Sequence, residues 1–225
     1  MTTEKMTIHE ALSELKVLDS RIKKEISYTN FVITNKHSND KINGQSIDEY
    51  KSNVSSNYQK IRDLIRRRTA IKKAVVKSNA ITEVTIGNET MTVAEAIEYK
   101  NTGIDYLVAL NNKLSNEYAN VKASVTRNNG DALFEKANDY VIKLYGGKDK
   151  DVSASTIEDD RQNYINTHKL DIIDPIGIDK EIQTLTDYID NFKSKVDSAL
   201  SVSNAVTTIE VSYWFSGVLT NLRNK

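Results

Sequence analysis

Residues 60–77, KIRDLIRRRTAIKKAVVK, carry eight Lys or Arg against one acid in a chain whose 31 basic and 31 acidic residues otherwise cancel. Arg62, Arg66, Lys73 and Lys77 recur at helical spacing and form a basic stripe. Arg68 differs from them, because it falls between Leu64 and Ile71 where an aliphatic residue would continue the apolar stripe. A guanidinium placed there needs a carboxylate or a bound anion, since a bare buried charge costs several kcal/mol. Three readings follow: an ion pair with an acid of a neighbouring helix, an anion site that uses the planar fork, or a register one residue off with Arg68 exposed. The basic stripe likewise reads as a solvated face balancing the acidic 149–190 segment, in this chain or the next copy.

Other residue patterns offer less chemistry. His9, His37 and His168 lie in different elements without an i, i+4 partner, so they do not spell a zinc site. With no cysteine in the chain, disulfides, thiolate chemistry and Cys-based zinc sites are excluded. No G-x-S-x-G, H-E-x-x-H or P-loop occurs. The run Glu158–Arg161 reads as a solvated helix face, because consecutive carboxylates on a helix diverge. The chain therefore reads as one that binds without catalysis and uses no cofactor. Its candidate ligand-binding residues are Arg62, Arg66, Arg68, Lys73, Asn79 and Asn204, and its expected ligand is a small anion such as a nucleotide. Balanced charge argues against nucleic acid as a partner. The lack of an apolar run near 18 residues argues against a membrane, and MTTEKMTIHEALSELK lacks a signal-peptide core, so the expected location is the cytoplasm of a bacterial host cell.

The elements that must hold these residues are mostly helical. One proline and eight glycines in 225 residues suit long helices. Ile8, Leu12, Leu15, Leu18, Ile22 and Ile26 mark one helix face. A second helix starts at a Ser46/Glu49 capping box and runs roughly 50 Å. Such a helix needs an antiparallel partner or another subunit. A third starts at a Thr92/Glu95 capping box, with Val93, Ile97, Ile104, Leu107, Leu114, Val121 and Val125 as its stripe and Gly103 as a soft point. DALFEKANDYVIKLY is a shorter helix. The last helix steps alternately by four and three through Ile178, Ile182, Leu185, Ile189, Phe192, Val196 and Ala199, which is coiled-coil spacing.

Between helices the period becomes two. AITEVTIGNETMTV reads as a hairpin turning at Gly87-Asn88, and AVTTIEVSYW as a C-terminal strand. Both follow Ser-Asn-Ala, at 78–80 and 203–205, so the repeat is a fold device: a long helix ends, Asn79 or Asn204 caps it in a left-handed conformation, and a strand follows. A weaker echo, TNFVITN, precedes INGQSIDEY. These three strands are expected to pair in one small sheet at the end of the bundle. The fold class is thus mainly α, a long antiparallel helical bundle or coiled coil with a small β-sheet at one end. It is read as a single elongated helical domain over 1–225, with an irregular acidic crossover at 146–177 containing a short helix from Ser155 to Asn166. Its tail, 213–225, docks on a neighbouring subunit through Trp214, Phe215, Val218 and Leu219.

MTIHEAL, INGQSIDEY, IRRRTAIKKAVVKSNAITEVTIGNETMTVAEAIEYK, DIIDPIGI and SNAVTTIEV together resemble the septicolysin-like family of small helical proteins from Gram-positive bacteria and their phages. The resemblance covers residues 6–212 and is densest over 61–100. It implies a phage or mobile-element origin and a protein that works by binding, as a homo-oligomer in our reading, with no catalytic residues to carry over. A phage protein of this kind would sequester a nucleotide that serves as a host immune signal. The competing reading is a structural component of a virion or assembly with no small-molecule ligand.

Overall fold

The computed structural model describes residues 2–146 and 152–214 and is mainly α-helical, with short antiparallel strand pairs. Where the sequence reads as one domain, the chain divides into two compact units, Met1–Lys100 with Phe192–Lys225, and Asn101–Asn191. The physical reason is where the long stripes are buried. The seven-residue apolar run of the last helix is covered from Ile189 to Val196 and only half covered before it.

The first unit rests on two long helices. α1 (Ile8–Tyr28) and α2 (Ile47–Asn79) lie antiparallel, as the pairs Glu14 with Arg67 and Glu25 with Lys60 require. α1 buries Ile8, Ala11, Leu15, Leu18 and Ile22, a stripe at steps of three and four. These join Ile71 and Val75 of α2 and the inward faces of strands β1 (Thr2–Thr7) and β6 (Thr208–Tyr213) in one core. β6 alternates strictly, with Ile209, Val211 and Tyr213 buried and the residues between them exposed.

The remaining strands make two hairpins, β2 (Lys41–Ile42) with β3 (Gln45–Ser46) and β4 (Glu83–Ile86) with β5 (Glu89–Thr92). Asn43 and Gly44 turn the first at φ +50° and +85°, the pairing a type I′ turn requires. The expected single sheet is replaced by three separate two-stranded ladders. β6 pairs not with the hairpin but with β1, Thr2 opposite Tyr213 and Thr7 opposite Thr208. TNFVITN forms no strand: its contacts are with side chains of α2, Phe31 edge-on to Tyr58 and the Asn30 carbonyl accepting from the Tyr50 hydroxyl at 3.0 Å, and Val32 is 89% exposed.

The Ser-Asn-Ala repeat is a repeated joint, but its asparagines are not the caps. Asn79 and Asn204 are both helical, and Asn43 is the non-glycine residue with positive φ among the described residues. The nearly buried serines before them do the work. The Ser78 carbonyl accepts from the Thr82 N–H at 2.8 Å, and the Ser203 carbonyl from the Thr207 N–H at 2.9 Å. The carbonyls of Thr82 and Thr207 then accept from Val93 and Ile8, each the first residue of a helix, at 2.8 and 2.9 Å. Each of those helices opens on the same capping box, Thr92 with Glu95 in α3 (Val93–Glu98) and Thr7 with Glu10 in α1. MTVAEAI at 91–97 and MTIHEAL at 6–12 are therefore matching halves of one motif, closed by a turn in the first case and left open in the second.

These boxes make a direct prediction. Thr7→Ala is expected to lower the stability of the first unit by about 1 kcal/mol in urea unfolding. The backbone N–H of each threonine, and after it the hydroxyl that alanine would remove, hold the carboxyls of Glu10 and Glu95 below the usual carboxylate range. A lowered folded pKa stabilises above the unfolded value, and that support is lost as pH falls through the folded one. The variant should thus lose part of its acid sensitivity below about pH 4.5, the usual range for a glutamate.

The expected third helix is interrupted. α3 passes through a π-helical turn, Tyr99–Gly103, into α4 (Ile104–Asn128), so the soft point at Gly103 is a change of helical pitch. In the second unit α5 (Asp131–Tyr145) buries Leu133, Ala137 and Val141, and α6 (Ala154–His168) packs beside it with Tyr164 stacked on Tyr140. α6 is the short helix expected within the crossover, starting one residue earlier and ending two later. Residues 169–177 then lead to α7 (Ile178–Val206), which runs on into the first unit. Phe215, Val218 and Leu219 lie outside the described residues.

Candidate functional site

α1 and α2 are both long enough to continue past the shared core, and where their stripes diverge a groove opens. Its volume is about 630 Å³. Val17, Leu18 and Leu64 form an aliphatic floor, and Glu14, Arg21, Lys60, Asp63 and Arg67 stand around it. Val17 is 64% exposed, although it lies beside the buried Leu18 and the half-buried Leu64.

Arg67 closes one end and, among the described residues, engages more partners than any other cation. Its Nη2 donates to Glu14 at 2.9 Å and to Glu4 at 3.0 Å, its Nε donates to Glu14 as well, and Nη1 donates to the Tyr213 hydroxyl. The guanidinium also lies 5.0 Å from the Tyr213 ring centroid. The Glu14 hydrogen bonds raise its already high pKa further, so Arg67 is a permanent charge. At the opposite side Lys60 Nζ donates to Glu25 at 2.5 Å, which lowers the Glu25 pKa. Asp63 accepts from Arg66 at 3.2 Å and from Gln59 at 3.1 Å. Arg21 has no carboxylate at salt-bridge distance among the described residues, and next to it Lys16 and Lys24 also lack one. Three cations and two acids, Glu14 and Asp63, are the charged residues lining the groove.

The six residues singled out from sequence are not gathered here. Arg68 Nε donates to Asp19 of α1 at 2.5 Å, the neighbouring-helix pair of the first reading, but at 39% side-chain exposure it is not interior. That hydrogen bond lowers the Asp19 pKa. Arg62 lies on the exposed side, 5.7 Å from the Tyr58 ring centroid, and Lys73 is exposed. Arg66 pairs with Asp63, while Asn79 and Asn204 sit in the last turns of their helices, at the Ser-Asn-Ala joints. The cation drawn inward is Arg67, one residue from the position that broke the stripe. Lys60, Asp63 and Arg67 recur at steps of three and four, a second face beside the apolar one, and that spacing was the available signal.

Chemically, the groove can hold an aliphatic body on its floor and an anionic group against Arg21. Among the described residues no aromatic side chain lines it, so a nucleobase would find no ring there to stack on. Among the described residues no cluster of His, Asp and Glu could hold a metal ion, and no helix is long and apolar enough to cross a membrane. No family model, curated protein or solved structure matches the chain, so the groove itself is what a functional reading has to start from.

Proposed function

We propose that this chain is a binding protein and not an enzyme, and that the groove between α1 and α2 receives an anionic group carried on an aliphatic body. One observation carries the reading: an apolar floor of Val17, Leu18 and Leu64 lies beside Arg21, whose guanidinium has no carboxylate within salt-bridge distance among the described residues and acts on Glu25 only through space. Unpaired cations beside an apolar surface lose hydration when the groove is filled, and an incoming anion restores their partner. The narrower form of the proposal, a nucleotide held as a sequestered immune signal, would rest on the phosphates alone.

Calorimetric titration with decyl phosphate against decanol tests the reading. Decyl phosphate should bind and decanol should bind at least tenfold more weakly, with Arg21→Glu abolishing the difference. Equal binding of both, or of neither, overturns it. Mass spectrometry of a washed and denatured sample, after exposure to extract containing nucleotides, checks the narrower form: an intact nucleotide supports it and an altered one points to catalysis.

The structural reading keeps a specific observation in its favour. Arg68 is paired with Asp19 and Lys60 with Glu25 inside the chain, which leaves fewer cations for a small anion than the basic run implies.

A further inference from the structure

Residues 170–178, LDIIDPIGI, form an exposed aliphatic knob. Ile173 is 87% exposed, Ile176 58% and Ile172 39%. An exposed loop of this kind ordinarily gains little by binding, because ordering it consumes the gain. Here the ordering is already done. The Asp174 carboxylate accepts the backbone N–H groups of Ile176, Gly177 and Ile178 at 3.2, 2.9 and 2.8 Å. Pro175 fixes one dihedral and Gly177 holds φ +70°. At the other end the Asn129 amide clasps Leu170, donating to its carbonyl at 2.8 Å and accepting from its N–H at 2.9 Å.

The knob is rimmed by acids. Asp171 and Asp179 flank the isoleucines in sequence, and Glu117 lines the depression behind them. Asp171 is 75% exposed and its one ion pair, to Lys169, is long at 4.0 Å. The chain thus displays, in its second unit, an anionic group on an aliphatic body, and in its first unit a groove shaped for one.

We propose that the groove between α1 and α2 takes the isoleucine knob of a second copy of this chain, Ile173 on the Val17–Leu64 floor and Asp171 against Arg21. The inference rests on the proposed groove function and names its partner. The contact is head-to-tail: one copy offers a knob, the other a groove, and each keeps the complementary surface free. Assembly then closes into a ring or continues, and a small amphiphilic anion would compete with it.

Light scattering and sedimentation of the full chain, with two variants, test the contact. Both substitutions are at exposed positions, so circular dichroism should show unchanged folding. Ile173→Asp removes the knob and Arg21→Glu removes the groove. Each alone should weaken self-association at least tenfold. Mixed together they should form a one-to-one dimer and stop there, because one copy keeps a sound groove and the other a sound knob. A wild-type chain that stays monomeric, or a mixture that fails to pair, overturns the inference. The groove reading fails separately: Ile173→Asp, with its groove intact, should still bind decyl phosphate. If it does while no assembly forms, only the second-copy partner is wrong; if it does not, the groove is.

Discussion

Replacing Ile71 with alanine is expected to destabilise the first unit by about 3–4 kcal/mol. Ile71 has no exposed surface and belongs to the cluster in which α1, α2, β1 and β6 meet. Removing three carbons there forfeits their transfer free energy and leaves a void bounded by two helices and a sheet. Those elements are tied at several points by ion pairs and a ladder, so the void cannot readily collapse. Ile65 is on the same helix at 41% exposure, and Ile65→Ala should change stability by less than about 1 kcal/mol. Urea unfolding followed by circular dichroism distinguishes the two; a similar small shift for both would mean that α1 and α2 do not pack through Ile71.

The second large effect is expected at Arg67. Its fork joins Glu14 of α1, Glu4 of β1 and Tyr213 of β6 to α2, so four elements meet on one side chain. Arg67→Ala leaves Glu14 with 27% side-chain exposure and no counter-charge in place. The loss should be about 2 kcal/mol, below the range for fully buried pairs because water reaches Glu4 and part of Glu14. Arg67→Lys should recover only part of it, since a single ammonium cannot serve three acceptors in a plane. Arg68→Ala, one residue on, removes a pair open to solvent on both sides and should be nearly silent. Arg68→Ala as damaging as Arg67→Ala would mean that α2 is rotated from the register that turns Arg67 inward.

Much of this fold is local and was legible as such. Apolar steps of three and four locate α1, α2 and α7, and Thr92 with Glu95 marks the start of α3 because a capping box is written in four consecutive residues. The hairpin at Gly87-Asn88 was legible for the same reason. Partner choice was not. Alternation in AVTTIEVSYW shows that a strand forms but not that its neighbour is MTTEKMT at the far end of the chain. The echo of MTIHEAL in MTVAEAI carried that information, since the same strand-to-helix joint implies the same kind of strand beside it. The groove was half legible. The basic run pointed to α2, but a stripe drawn on one helix cannot say which of three consecutive arginines its neighbour will engage, and the acids that select Arg67 come from α1 and β1.

The ladder between β1 and β6 also has a consequence for how the molecule is made. Residues 2 and 213 are partners, so β1 waits for β6, which is made some two hundred residues later. α1 and α2 can pair early, but the sheet side of their core stays open until β6 emerges. The segment from Asn101 to Asn191, a compact unit of its own, is complete well before that. Synthesis from the N-terminus therefore finishes the middle of the chain first and its beginning last, against the usual order. Closing so long a loop carries an entropic cost that only the pairing with β6 offsets, so this pairing is expected to be the slow step of folding. A nascent chain arrested before residue 208 should expose Met6, Ile8 and Val75 to chaperones, and one released beyond residue 213 should not.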